Sequence, residues 1–133
     1  MLIESLKIVE KIEFEKSEWD FFENGIIRIK IKDNVFMELH DSIKEHNYIK
    51  KRTDYLPLKL LIIPGINSSI SKEVRDYANR PESLSIVESQ ALVVKSLAHK
   101  VIAKFMINFY KTPIKIKIFS NEQEALNWLL ADK

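Results

Sequence analysis

The chain has 133 residues, of which 46% are hydrophobic, and a formal net charge of +2, enough apolar side chain for one core and one domain without metal or disulfide support. It contains no cysteine, which excludes disulfides, thiolate catalysis and thiolate metal sites and suits a reducing cytoplasm. Glu4, Lys7, Glu10 and Lys11 interrupt the stretch where a signal peptide would need an apolar core, and no apolar run approaches the roughly 20 residues that span a bilayer, so a soluble cytoplasmic protein is expected.

Residues 8–15 read as either an edge strand or a short helix. Glu23-Asn24-Gly25 is a turn signal between the two arms of an antiparallel hairpin, the first over about residues 18–23. In the second arm, IIRIKIK, Ile27, Ile29 and Ile31 alternate with Arg28, Lys30 and Lys32, a period of two that predicts one inward face and one wet face. Asp41 is placed as the N-cap of a helix through about residue 51, with Ile43, Asn47 and Lys51 along one side. LKLLIIPG is a continuous apolar run of the kind found in strands buried on both faces, stopped by Pro64-Gly65; it predicts a central strand.

Ser68, Ser69 and Ser71 precede EVRDYA, and one of them, most simply Ser71, caps a short helix that ends near Arg80-Pro81. Residues 89–96 predict a second buried strand. It feeds LAHKVIAKFMINFYK, where Ala98, Val101, Ile102, Phe105 and Phe109 form an apolar stripe at helical spacing and Lys100, Lys104 and Lys111 follow the opposite side. Ile114, Ile116 and Ile118 then alternate with lysines as a last strand before the helix FSNEQEALNWLL. There Ser120 is placed as N-cap, Gln123 as its capping-box partner, and Phe119 as a staple onto Glu124 or Ala125. The order of elements predicts an α/β domain over residues 1–133, with a mixed, mostly parallel sheet, an N-terminal antiparallel hairpin and about four helices.

The hairpin ENGIIRIKIK, the unit LLIIPGINSSISKEVRDYA, the unit ALVVKSLAHKVIAKFMINFYK and the ending FSNEQEALNWLL together resemble the STAS and SpoIIAA-like fold over about residues 18–130. More narrowly they resemble short bacterial STAS-like domains of unassigned function, whose ending is matched here by Phe119, Glu124, Ala125, Trp128 and Leu129. The resemblance implies a non-enzymatic regulatory domain akin to anti-sigma factor antagonists, in which a serine at the start of the helix after a central strand is phosphorylated by a partner kinase. The matching region here holds Ser68, Ser69 and Ser71, without the Asp and the following Gly of those relatives. Other relatives bind lipids or nucleotides.

Read from the residues alone, a serine at a helix N-terminus is both a simple cap and a favourable place for added phosphate. The charge is uneven: residues 1–25 hold seven acids against three lysines, whereas residues 95–117 hold six lysines and no acid. Lys100, Lys104, Ile107 and Lys111 are therefore the expected docking surface for a protein partner or a second copy. A small-molecule or lipid ligand held among the aromatics is the alternative, and peripheral membrane association is not expected. With two glycines in the chain there is no glycine-rich phosphate loop. No nucleophile, base and orienter pattern, no short histidine pairing and no basic-aromatic surface stand out, so no enzyme activity, cofactor, metal or nucleic acid is expected.

Overall fold

The computed structural model describes residues 2–110 and 113–131. A 3-10 turn, Ile3–Ser5, leads into three antiparallel strands, β1 (Ile8–Glu13), β2 (Ser17–Phe22) and β3 (Ile26–Ile31). Gly25 makes the β2–β3 turn at φ 91°, a region that L side chains rarely adopt. The chain continues as β4 (Phe36–Met37), α1 (Leu39–Ile49), β5 (Leu58–Ile63), β6 (Ser69–Ile70), α2 (Lys72–Ala78), α3 (Pro81–Leu84), β7 (Val87–Val93), α4 (Leu97–Tyr110), β8 (Lys115–Phe119) and α5 (Glu122–Ala131). The main sheet runs β1-β2-β3-β5-β7-β8, and its pairings are parallel from β3 onward. This is the expected α/β class with a mostly parallel sheet and an N-terminal hairpin, carrying five helices. The alternative at residues 8–15 falls to the strand β1, whose burial alternates and whose Glu10 is gripped by Arg52 at 2.6 Å.

Strand alternation sorts the side chains between two faces. On one, Phe22, Ile26, Leu61, Ala91 and Val93 pack against Ala125, Leu126 and Leu129 of α5. On the other, Trp19, Phe21, Ile27, Leu58 and Leu60 pack with Ile49 of α1. Each Leu, Ile or Phe so buried contributes about 1.5–3 kcal/mol.

Local chemistry departs from the sequence reading at three places. Glu38, not Asp41, is the N-cap of α1; Asp41 stands at N3, where its Oδ2 accepts from the Glu38 N–H at 2.9 Å and closes a capping box. At α5 the cap is Asn121, whose Oδ1 accepts from Glu124 N–H at 2.9 Å. Gln123 instead ties the two ends of the chain together, its Oε1 accepting from Ile3 N–H at 2.9 Å, while Phe119 packs on Trp128 with ring centroids 5.7 Å apart.

The third departure is the Arg28 and Lys30 side of β3, which is not wet. Asp20 of β2, 1% exposed, receives Lys11 at 2.8 Å, Arg28 at 2.8 Å and Lys30 at 3.4 Å, and Arg28 continues to Glu122 of α5 at 3.0 Å. Burial works to raise the Asp20 pKa, but the hydrogen bonds from Lys11 and Arg28 outweigh it and hold the carboxyl below its ordinary value.

Candidate functional site

The face opposite α5 is incompletely covered. β3, β5, β7 and β8 turn Ile29, Ile31, Ile62, Leu92 and Ile116 toward it, but α2 has seven residues and α3 four. The inward side of α4 is short where it crosses the sheet, at buried Ala103. A cavity of about 310 Å³ remains between the sheet, α1, α2 and α4, at the lower end of the 300–1,000 Å³ common for small-ligand sites. Met37, Val74, Leu84, Met106 and Ile107 complete a largely aliphatic wall.

The edge of the cavity is a knot of loops. β4 and β6 form a two-residue parallel pair, Phe36 with Ser69 and Met37 with Ile70. Asn34 and Asn67, both at φ 58°, are joined side chain to side chain at 3.1 Å. Gly65 crosses so close to β3 that a Cβ there would meet the Ile31 carbonyl oxygen at 2.4 Å, which is why no side chain fits after Pro64.

The polar groups in the lining are few and placed. Glu45 reaches in from α1, where Asp41, Glu45 and Ile49 follow one another at i, i+4 and i+8 on the inward side. Its Oε2 accepts from Ser17 Oγ at 3.0 Å, and Ser17 Oγ accepts in turn from Trp19 Nε1 at 3.0 Å. Burial pushes the Glu45 carboxyl up to about 7; the Ser17 bond opposes this and the charge of Asp41 adds to it. Across the cavity His99 donates from Nε2 to the Ser68 carbonyl at 2.8 Å, and Arg75 donates from its guanidinium to the Ile70 carbonyl at 3.2 Å. The arrangement can enclose an apolar body and meet it with a carboxyl, a guanidinium and an imidazole. Ser17 is fully buried behind Glu45, so its hydroxyl faces no open space.

The serines singled out from sequence lie along this edge. Ser71 caps α2, its Oγ accepting from Val74 N–H at 3.1 Å. Ser68 is buried and donates to the Gly65 carbonyl at 2.7 Å, whereas Ser69 is exposed. The lysine surface is divided by the fold. Ile107 is half-buried in the cavity wall, Lys100 is half-buried on the flank and Lys104 is exposed; Lys111 lies outside the described residues.

Of the apolar stripe of α4, Ile102 borders the cavity, while Val101, Phe105 and Phe109 face away from the sheet. Val101 is 59% exposed, Phe105 59% and Phe109 65%, with the Phe105 and Phe109 rings stacked at 5.4 Å. Tyr110 pins the end of the helix to α2 by donating to Asp76 Oδ1 at 2.5 Å. The reversal arises because α4 is apolar nearly all round, with Ala103, Met106 and Ile107 available for the inner side.

Among the described residues, Glu38, His40 and Asp41 form a group of three potential metal ligands. The Lys16 ammonium already sits there, 2.8 Å from Asp41 and 3.5 Å from Glu38. No described helix is long and apolar enough to cross a membrane.

The family described as Domain of unknown function (DUF7793) matches residues 21–132. The chain belongs to this family. Among solved structures, the DUF7793 chain is similar to an uncharacterized protein from the DUF3478 family with a SpoIIAA-like fold from Shewanella loihica PV-4, at 13% identity, with 93% of each chain covered and a TM-score of 0.59. The fold is thus SpoIIAA-like, in agreement with the STAS-like resemblance of the sequence. No curated protein sequence matches the chain.

Glu45 is the site residue that the sequence left unmarked. A glutamate in the middle of a surface helix is ordinarily solvated, and the available signal was its place one turn before Ile49.

Proposed function

We propose that this DUF7793 domain is a non-enzymatic regulatory module of the bacterial cytoplasm that holds a small amphipathic molecule between its sheet and α4. The observation that carries this reading is the cavity of about 310 Å³, aliphatic on most sides and supplied with a few polar groups. Its roof, α4, also carries the exposed Phe105 and Phe109 face, so the helix that senses occupancy is the helix a partner protein would contact.

The test is a titration of ligand-stripped full chain with 1-octanol, followed by melting temperature. A ligand that binds the folded state alone stabilises it by RT ln(1 + [L]/Kd), so the melting temperature rises with octanol concentration. Ala103→Phe, which fills the space under α4, suppresses that rise while the variant still melts cooperatively. A flat melting temperature in the unmodified chain, or an equal rise in Ala103→Phe, contradicts the reading.

A second reading, contact with an acidic partner protein, is favoured by Lys104 and Lys100 beside the apolar outer face. Lys100→Glu with Lys104→Glu then abolishes recovery of the partner; unchanged recovery removes the proposal.

A further inference from the structure

We infer, resting on the cavity reading above, that the molecule held there carries a cationic amine rather than an anionic head, with its ammonium seated on Glu45 and its apolar body along Ile29, Ile62 and Leu92. Glu45 is the one carboxyl among the described lining residues. Its carboxyl takes a single hydrogen bond, from Ser17 to Oε2, and no cation pairs with it. An ammonium donating to this carboxylate gains a charge-assisted hydrogen bond and relieves the cost of a buried charge.

The cationic side chains in the lining are held by hydrogen bonds to backbone carbonyls. Arg75 of α2 donates to the Ile70 carbonyl; Asp76 beside it is held below its ordinary value first by the Tyr110 and Lys72 hydrogen bonds and least by the Arg75 charge. His99 of α4 is spent on the Ser68 carbonyl. The charged neighbours of Glu45 reinforce the sign. Asp41, one turn earlier on α1, adds a second negative charge, itself paired with Lys16 from the β1–β2 connection. His46, the next residue of α1, turns to stack edge-on against Tyr77 at 5.7 Å, and β2 offers Ser17 alone. A carboxylate head would meet Glu45 as a like charge, whereas an amine meets it as a partner.

Because burial pushes the Glu45 carboxyl up to about 7, the pairing depends on pH. Above that value the carboxylate is present and attracts the ammonium; as pH falls through it, the carboxyl is protonated and the attraction is lost. The alkyl chain contributes equally on both sides of the transition.

The experiment titrates the full chain calorimetrically with n-octylamine, 1-octanol and sodium octanoate, three probes that share one chain length, at pH 8 and pH 6. At pH 8 octylamine binds about tenfold more tightly than 1-octanol and octanoate more weakly than either. The octylamine advantage shrinks at pH 6. Glu45→Gln removes it, read as the ratio of octylamine to octanol affinity within that variant, and the pH series in the unmodified chain stands as an independent check. Octanoate binding as tightly as octylamine, or a ratio that Glu45→Gln and pH leave unmoved, overturns the inference while the cavity reading stands. Absence of binding by all three probes overturns both.

Discussion

The Ser17 hydroxyl donates to Oε2 of Glu45 across 3.0 Å, joining β2 to α1 beside the cavity. This bond, backed by the Trp19 indole, fixes where the carboxyl sits. Burial sets how readily it ionises, and the consequence is a pH dependence of folding.

Glu45 in the folded chain binds its proton more tightly than in the unfolded chain, at about 7 against an ordinary value of 4.5. The folded state therefore holds the extra proton between these values, and stability falls as pH rises through them. Replacing Glu45 by Gln removes that cost: urea unfolding at pH 8 should show the variant more stable by up to about 3 kcal/mol, with the gain shrinking to near zero by about pH 4.

Asp20 acts in the opposite sense. Its pKa lies below the ordinary value because Lys11 and Arg28 outweigh its burial, so its contribution is present above the unfolded value of 3.8 and is lost as pH falls through the folded one. Asp20→Asn takes the buried carboxylate from Arg28, 17% exposed, which keeps only Glu122, while Lys11 and Lys30 can turn to water. A loss of about 3 kcal/mol at pH 7, measured by chemical denaturation, is expected.

The outer face of α4 is predicted to be energetically quiet. Phe105→Ser should change stability by less than about 1 kcal/mol, because the ring is 59% exposed. Leu126→Ala, at a fully buried position of α5, should cost about 2–5 kcal/mol. Comparable losses for the two would place Phe105 inside a core.

Gly65→Ala pushes a methyl group into the backbone of Ile31 and Lys32, 2.4–2.5 Å away. Neither backbone can yield without disturbing the end of β3, so a loss of about 1–3 kcal/mol is expected from thermal or chemical unfolding.

These residues also mark how far the sequence could be read. Strand β3 was legible because its isoleucines alternate with a period of two, β5 and β7 because short apolar runs mark strands buried on both faces, and Ser71 because a serine before EVRDYA has one economical use. The direction of α4 was not. Helical spacing tells which residues share a face and is silent on which way the face turns, and Met106 with Ile107 gave the helix a second apolar side. The same limit hid the inward side of α1, where Asp41, Glu45 and Ile49 face the sheet and Ile43 does not. Capping-box partners sitting at Glu38 and Asp41 looked like a start at Asp41 because either residue type serves at the N-terminus. The cavity is a property of helix lengths and spacing that no local pattern carries.

The most direct test of the central claim is an NMR titration of methyl-labelled full chain with 1-octanol. Binding in the cavity shifts the methyl signals of Ile29, Ile62, Leu92 and Ile107 and leaves Leu97 and Val101, on the outer side of α4, in place. Shifts confined to Leu97 and Val101, or none at saturation of the probe, would contradict a ligand between the sheet and α4.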